Sequence, residues 1–124
     1  MKTQQGQSIV VLLIFVLVAM TITTFAIFVI AANSLTIAKF QGGVAARELA
    51  DTGAENALIS LLRDDQYTGE TFPVGADTVQ ITVSGEATKT IISTGKSGEF
   101  IRVVEVMTSY VDNRLTVTSW KEVY

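Results

Sequence analysis

The sequence predicts an α+β protein: a long N-terminal helix packed against a four-stranded antiparallel β-meander. Three observations predict it. An uncharged apolar run opens the chain, a helical seam of small residues follows it without a proline, and the hydrophobic period then changes from that of a helix to two. The chain has 124 residues, which allows one domain of ordinary size and excludes large catalytic scaffolds.

The apolar run extends from Ile9 to Ala32, and no charge stands between Lys2 and Lys39. About 24 residues make about 36 Å of helix, enough to cross a hydrocarbon layer of about 30 Å with some tilt. We therefore expect a membrane helix over residues 7–33, with Ile9, Val11, Phe15, Phe28 and Ala32 facing lipid. The polar residues inside it are Thr21, Thr23 and Thr24, whose hydroxyls can return to the helix's own carbonyls. Lys2 precedes the span, whereas all 12 acids and the remaining bases follow it. This distribution predicts a single-pass protein of the cytoplasmic membrane with its N-terminus inside and its C-terminal part outside. A secretory signal normally has an apolar core of about 7–15 residues, shorter than this one.

Residues 34–65 continue as an amphipathic helix. Gly42, Gly43, Ala46, Ala50, Gly53, Ala54, Ala57, Leu58 and Leu61 fall on one stripe, and Arg47, Glu48, Asp51, Thr52, Glu55 and Arg63 lie mostly elsewhere. Such a seam lets another backbone approach closely, either the protein's own sheet or a neighbouring helix. Its own sheet is the simpler occupant. The adjacent pair Gly42–Gly43 costs about 2 kcal/mol of helix propensity relative to alanine, so a kink or frayed turn is expected there.

Asp64–Asp65 closes the helix, and residues 66–77 read as a polar loop with Gly69, Pro73 and Gly75 as turn formers. Residues 78–124 read as the sheet. Val79, Ile81 and Val83 alternate with polar residues, and Thr90–Thr94, Phe100–Val111 and Leu115–Tyr124 complete four strands. Gly85-Glu86-Ala87, Gly95-Lys96-Ser97-Gly98 and Asp112-Asn113-Arg114 are the expected turns. Trp120 and Tyr124 on the last strand read as ordinary core or edge aromatics.

Composition excludes several chemistries. There is no histidine and no cysteine, which removes disulfides, Cys/His zinc sites, thiol nucleophiles and His-based triads. The net charge is −3, which argues against nucleic acid as a partner. Asp64, Asp65, Glu70 and Asp77 could offer oxygen to calcium, but lack the order of acids and the glycine of an EF-hand loop. Lys96 and Ser97 have plain turn roles. No catalytic residue, metal or cofactor is assigned, and no enzyme activity is expected.

The beginning of the chain carries one further pattern. A short polar leader, Met1-Lys2-Thr3-Gln4-Gln5-Gly6, meets the apolar run almost at once. It resembles the leader of type IV pilins and pseudopilins. The resemblance covers Lys2, Gly6 and the run from Ile9, and it gains from the long helix followed by a sheet. It implies a pilin-like fold, cleavage by a prepilin peptidase between Gly6 and Gln7, and methylation of the new N-terminus. It further implies assembly with other pilin subunits into a filament through the pilus machinery, and a place on the cell surface afterwards. The chain departs from the family at Gln7, where an apolar residue is usual, and at Val11, where most members carry glutamate. In this it is similar to PilX-type minor pilins and points to a minor or tip-proximal structural subunit. The alternative is a monomeric, single-pass anchor that presents a small β-domain for binding.

Overall fold

The computed structural model describes residues 4–123. Helix α1 is Gln4–Arg63, and five strands follow: β1 Thr71–Val74, β2 Asp77–Ser84, β3 Thr88–Ser97, β4 Phe100–Val111 and β5 Arg114–Val123. All five pair antiparallel in the order β1-β2-β3-β4-β5. The chain divides into two compact units, Met1–Ala38 and Lys39–Tyr124.

In the first unit the described residues are all helical, and those from Gly6 onward are exposed. Among the described residues, α1 is the helix long and apolar enough to cross a membrane. The threonines behave as expected of such a helix. Thr21, Thr23 and Thr24 donate their hydroxyls to the carbonyls of Val18, Ala19 and Met20, each at 2.8 Å, so the three polar side chains within residues 9–32 are satisfied inside the helix.

In the second unit the C-terminal half of α1 lies across the inner face of the sheet. Ala46, Ala50, Ala54 and Ala57 are fully buried, and Leu61 nearly so. Ala50, Ala54, Ala57 and Leu61 cluster with Val79, Ile81, Val83, Ile91, Val104 and Val106 from the three central strands. The small-residue seam is therefore occupied by the protein's own sheet. Strict alternation on β2 sends Gln80, Thr82 and Ser84 to the outer face and the valines and isoleucine inward. Each fully buried Val or Ile contributes about 1.5–3 kcal/mol relative to exposure.

The structure corrects three expectations. The sheet has five strands, not four. The segment expected as a loop contains β1, where Phe72 pairs with Val79 and Val74 with Asp77. Pro73 has no N–H to donate, which suits an edge strand and masks the alternation of Phe72 and Val74. The pairing extends before β1: Ile81 N–H donates to the Glu70 carbonyl at 2.7 Å and Val83 N–H to the Thr68 carbonyl at 2.8 Å.

The second correction concerns β3, which runs through Gly95, Lys96 and Ser97. The turn into β4 is only Gly98-Glu99, with Gly98 at φ +58° and Ser97 paired to Phe100. Positive φ at the first of two loop residues is the II′ geometry that glycine favours. Gly95 has a different reason to be glycine. A Cβ there would strike the Ala46 carbonyl oxygen and, at 2.5 Å, the Ala50 nitrogen. Helix and sheet backbones approach closely here.

The third correction is partial: at Gly42–Gly43 the helix is continuous, so the frayed turn, one of the two outcomes expected, is absent. A Cβ at Gly42 would enter the ring of Phe100. The glycine is required by packing.

The last strand joins β4 through Asp112-Asn113, both with positive φ (52° and 62°), the I′ geometry of a two-residue hairpin. A bulge between Met107 and Thr108 shifts the β4–β5 register.

Candidate functional site

The residues singled out from sequence separate into three places. Gly6 and Gln7 sit within the first turns of α1; Gln7 is exposed, and nothing lies within 4 Å of a Cβ built on Gly6. Ile9, Val11, Phe15 and Phe28 are 62–73% exposed, and Ala32 is exposed as well. The seam residues are in the core, with Gly42 and Gly43 half-buried at its edge.

The carboxylates considered for calcium are engaged separately. Asp64 Oδ1 accepts from the Gln66 N–H at 2.9 Å, closing an Asx turn after the helix. Asp77 Oδ2 accepts from Ser97 Oγ at 3.1 Å. Glu70 Oε1 accepts from Asn56 Nδ2 at 3.3 Å and from the Tyr67 hydroxyl at 3.0 Å. Among the described residues no three acids converge on one point.

Tyr67 carries a resolved electrostatic perturbation in the second unit. Burial, and then the hydrogen bond and negative charge of Glu70, push its pKa up from 10.0 to about 12; a hydrogen bond with Ser60 opposes them. The folded state thus holds the neutral phenol where the unfolded chain would ionise it. This stability is complete below pH 10 and is lost as pH rises from 10 through about 12. Tyr67→Phe is expected to remove the tyrosinate absorbance that rises near pH 12 and to flatten the alkaline loss of stability over that window.

Trp120 anchors the last strand to the helix. Its indole N–H donates to Asp51 Oδ1 at 3.2 Å. Arg47 lies 3.8 Å from both Asp51 and Glu122, and Arg102 lies 3.3 Å from Glu122. Sequence reasoning missed this network. The signals were present as the i, i+4 pair Arg47/Asp51 and the same-face pair Trp120/Glu122, but neither says which element it meets. Tyr124 lies outside the described residues. Lys96 is exposed on the outer face, opposite Ile101.

A polar fault lies in the core. Ser93 is fully buried, and its Oγ has no hydrogen-bond partner. It faces Gly53, where a Cβ would strike Ser93 Oγ and, at 2.5 Å, Val79 Cγ1. Size explains the serine: the contact with the helix admits nothing much larger.

A cleft of about 380 Å³ opens where α1 ends, between Leu61, Gly85, Tyr110 and Leu115, with Asp65, Glu86 and Lys89 at its polar rim. Lys89 Nζ donates to the Asp65 carbonyl at 2.6 Å, and so stabilises the chain just past the negative end of the helix. Its polar groups serve the fold and do not form a nucleophile–base pair. No protein-family model matches the chain, and neither the curated proteins nor the solved structures contain a match to it.

Proposed function

We propose that this chain is a membrane-anchored structural subunit of a pilin-like filament, in a minor or tip-proximal position. One observation carries the reading: a single 60-residue helix is exposed and apolar in its first half and covered by an antiparallel sheet in its second. A protein built this way holds itself in a bilayer by one half and keeps a folded head outside the hydrocarbon. Assembly would exchange lipid contacts of the first half for contacts with other helices. Lipid is as apolar as leucine, so shape rather than bulk hydrophobicity must select the partner.

The processing site in this reading is the bond between Gly6 and Gln7. Val11 leaves the new N-terminus without the carboxylate that most pilins offer a neighbouring subunit, which favours a low-copy position over a shaft. The reading assigns no catalysis. The second reading, a monomeric anchor presenting its β-domain, rests on the same membrane helix and on a seam already filled by the protein's own sheet.

Shearing separates the two. Antibody-labelled electron microscopy of surface material sheared from the native cells is expected to find the chain on filaments, sparsely or at their tips. A chain that stays wholly with the membrane fraction, absent from every filament, supports the monomeric anchor.

A further inference from the structure

We propose that the free edge of β5 is a docking site for an extended, acidic, proline-free strand of a partner protein. The edge lies wholly within the second unit, and the docking holds under either functional reading.

The sheet ends in β1 on one side and β5 on the other. At β1, Ile81 N–H donates to the Glu70 carbonyl at 2.7 Å. Backbone direction alternates from residue to residue in an antiparallel ladder. Phe72 therefore also bonds to β2, and Pro73 turns its nitrogen to the open side. β1 is four residues long and lacks a donor where another strand would need one. Short strands and proline are how proteins blunt an edge.

β5 has no such protection. Tyr110 N–H donates to the Ala87 carbonyl at 3.2 Å, toward β3. Ser109 and Val111 then turn the other way and bond to Thr116 and Arg114, their partners in register. By the same alternation Met107 and Glu105 bond to Ser119 and Lys121. Leu115, Val117, Trp120 and Glu122 are left with N–H and C=O directed away from β4. Such a row is the template on which a further strand forms. β5 has ten residues, with neither proline nor glycine. Its bulge at Thr118 interrupts the row once, with Val117 and Trp120 as the outward residues on either side.

The side chains define the partner. Val117 and Trp120 are 44% and 42% exposed on the inner side of the edge. Apolar side chains at alternate positions of an incoming strand would cover them, and aromatic–β-branched neighbours favour pairing. The outer side of the edge carries Arg114 and Lys121 and no carboxylate. Lys121 is held by Glu105 at 2.9 Å. Among the described residues Arg114 has no ion-pair partner. A carboxylate on the outer side of the incoming strand answers it. The β1 strand of a second copy does not fit this description: it carries no acid, and Pro73 removes a donor from its open side.

The test uses the full chain in micelles of a neutral detergent, with amide exchange read residue by residue. The probe is a blocked heptapeptide in which valine alternates with threonine and one glutamate. In the chain alone, the amides of Val117 and Trp120 are expected to exchange at least about tenfold faster than those of Thr116 and Lys121, which bond to β4. Saturating peptide is expected to slow Val117 and Trp120 about tenfold and to leave Thr116 and Lys121 unchanged. The same peptide with a central proline is expected to give no protection. Lysine in place of its glutamate is expected to weaken binding about threefold. Val117→Lys puts a charge on the edge at an exposed position; it is expected to abolish the protection while Val117→Thr retains it.

Slow exchange at Val117 and Trp120 in the chain alone overturns the proposal, because the edge is then not free. No protection by the valine peptide overturns it as well. Equal protection by the proline peptide, or in the Val117→Lys chain, means that contact occurs without strand pairing and has the same consequence. Equal binding of the lysine peptide overturns the acidic assignment. Protection that rises with chain concentration in the absence of peptide overturns the partner protein and assigns the edge to a second copy.

Discussion

Gly95→Ala is expected to lower the melting temperature of the 39–124 unit by about 12–24 °C. The figure follows from about 3 kcal/mol of overpacking, the upper end of the usual range, and about 4–8 °C per kcal/mol for a unit of this size. The reason for choosing the upper end is the identity of the atoms met. A Cβ at Gly95 would meet the Ala46 carbonyl oxygen, the Ala50 nitrogen and, at 2.9 Å, Leu49 Cβ. Two are backbone atoms of a helix and cannot rotate away. The helix must lift from the sheet, and lifting it loosens Ala46, Ala50, Ala54 and Ala57 together. A strand glycine ordinarily weakens its strand by about 0.5–1 kcal/mol relative to alanine, so the intrinsic gain cannot offset the clash. Trp120, the single tryptophan, reports the melt through its contact with Asp51. A melting temperature equal to or above that of the parent chain would refute this packing.

Ile91→Ala is expected to be as damaging for the opposite reason. Ile91 is fully buried on the central strand, opposite Val83 on one side and Val106 on the other. Truncation removes side-chain volume from a place bounded by two strands and a helix, where little can relax. Such changes cost about 2–5 kcal/mol, and the enclosed position places this one near 4 kcal/mol. Ile92→Ala is the matched control: Ile92 points to the outer face at 39% exposure, and the expected cost is about 1 kcal/mol or less. Urea unfolding followed by Trp120 fluorescence should show a large fall in midpoint for Ile91→Ala with the slope unchanged. Equal midpoints for the two variants would mean that the sheet's inner and outer faces are misassigned.

These two residues show how far the fold was legible. Ile91 belongs to a β-branched run that reads as a strand, but the run alone does not say whether Ile91 or its neighbour Ile92 faces the helix. Gly95 read as a turn residue, because glycine is the usual mark of a turn and the helix that excludes its Cβ is forty-five residues away in sequence, about that distance being beyond any local pattern. The same limit hid β1, where Pro73 broke an alternation only four residues long. It also made Gly42–Gly43 look like a weak turn of helix, when the ring of Phe100 accounts for Gly42. The seam itself was plain from its spacing. Its occupant was the simpler of the two expected, the protein's own sheet.

The candidate sites were legible to different degrees. A helix long and apolar enough to cross a membrane is legible in residues 9–32, and its threonines satisfy themselves as their spacing from Val18, Ala19 and Met20 allows. The ion-pair network at the last strand could not be read. Arg47, Arg102 and Glu122 are scattered over the sequence, and only the packing of β4 and β5 against the helix collects them.

The central claim is that the chain is processed and assembled as a pilin-like subunit, and its most direct test is the mass of the mature N-terminus. Protein recovered from its native membrane would be measured intact and as N-terminal peptides. The account predicts a chain beginning at Gln7, shorter by Met1 to Gly6 and carrying a methyl group on its new amine. A chain that still begins at Met1 or Lys2 would contradict it and leave the monomeric membrane anchor as the better description.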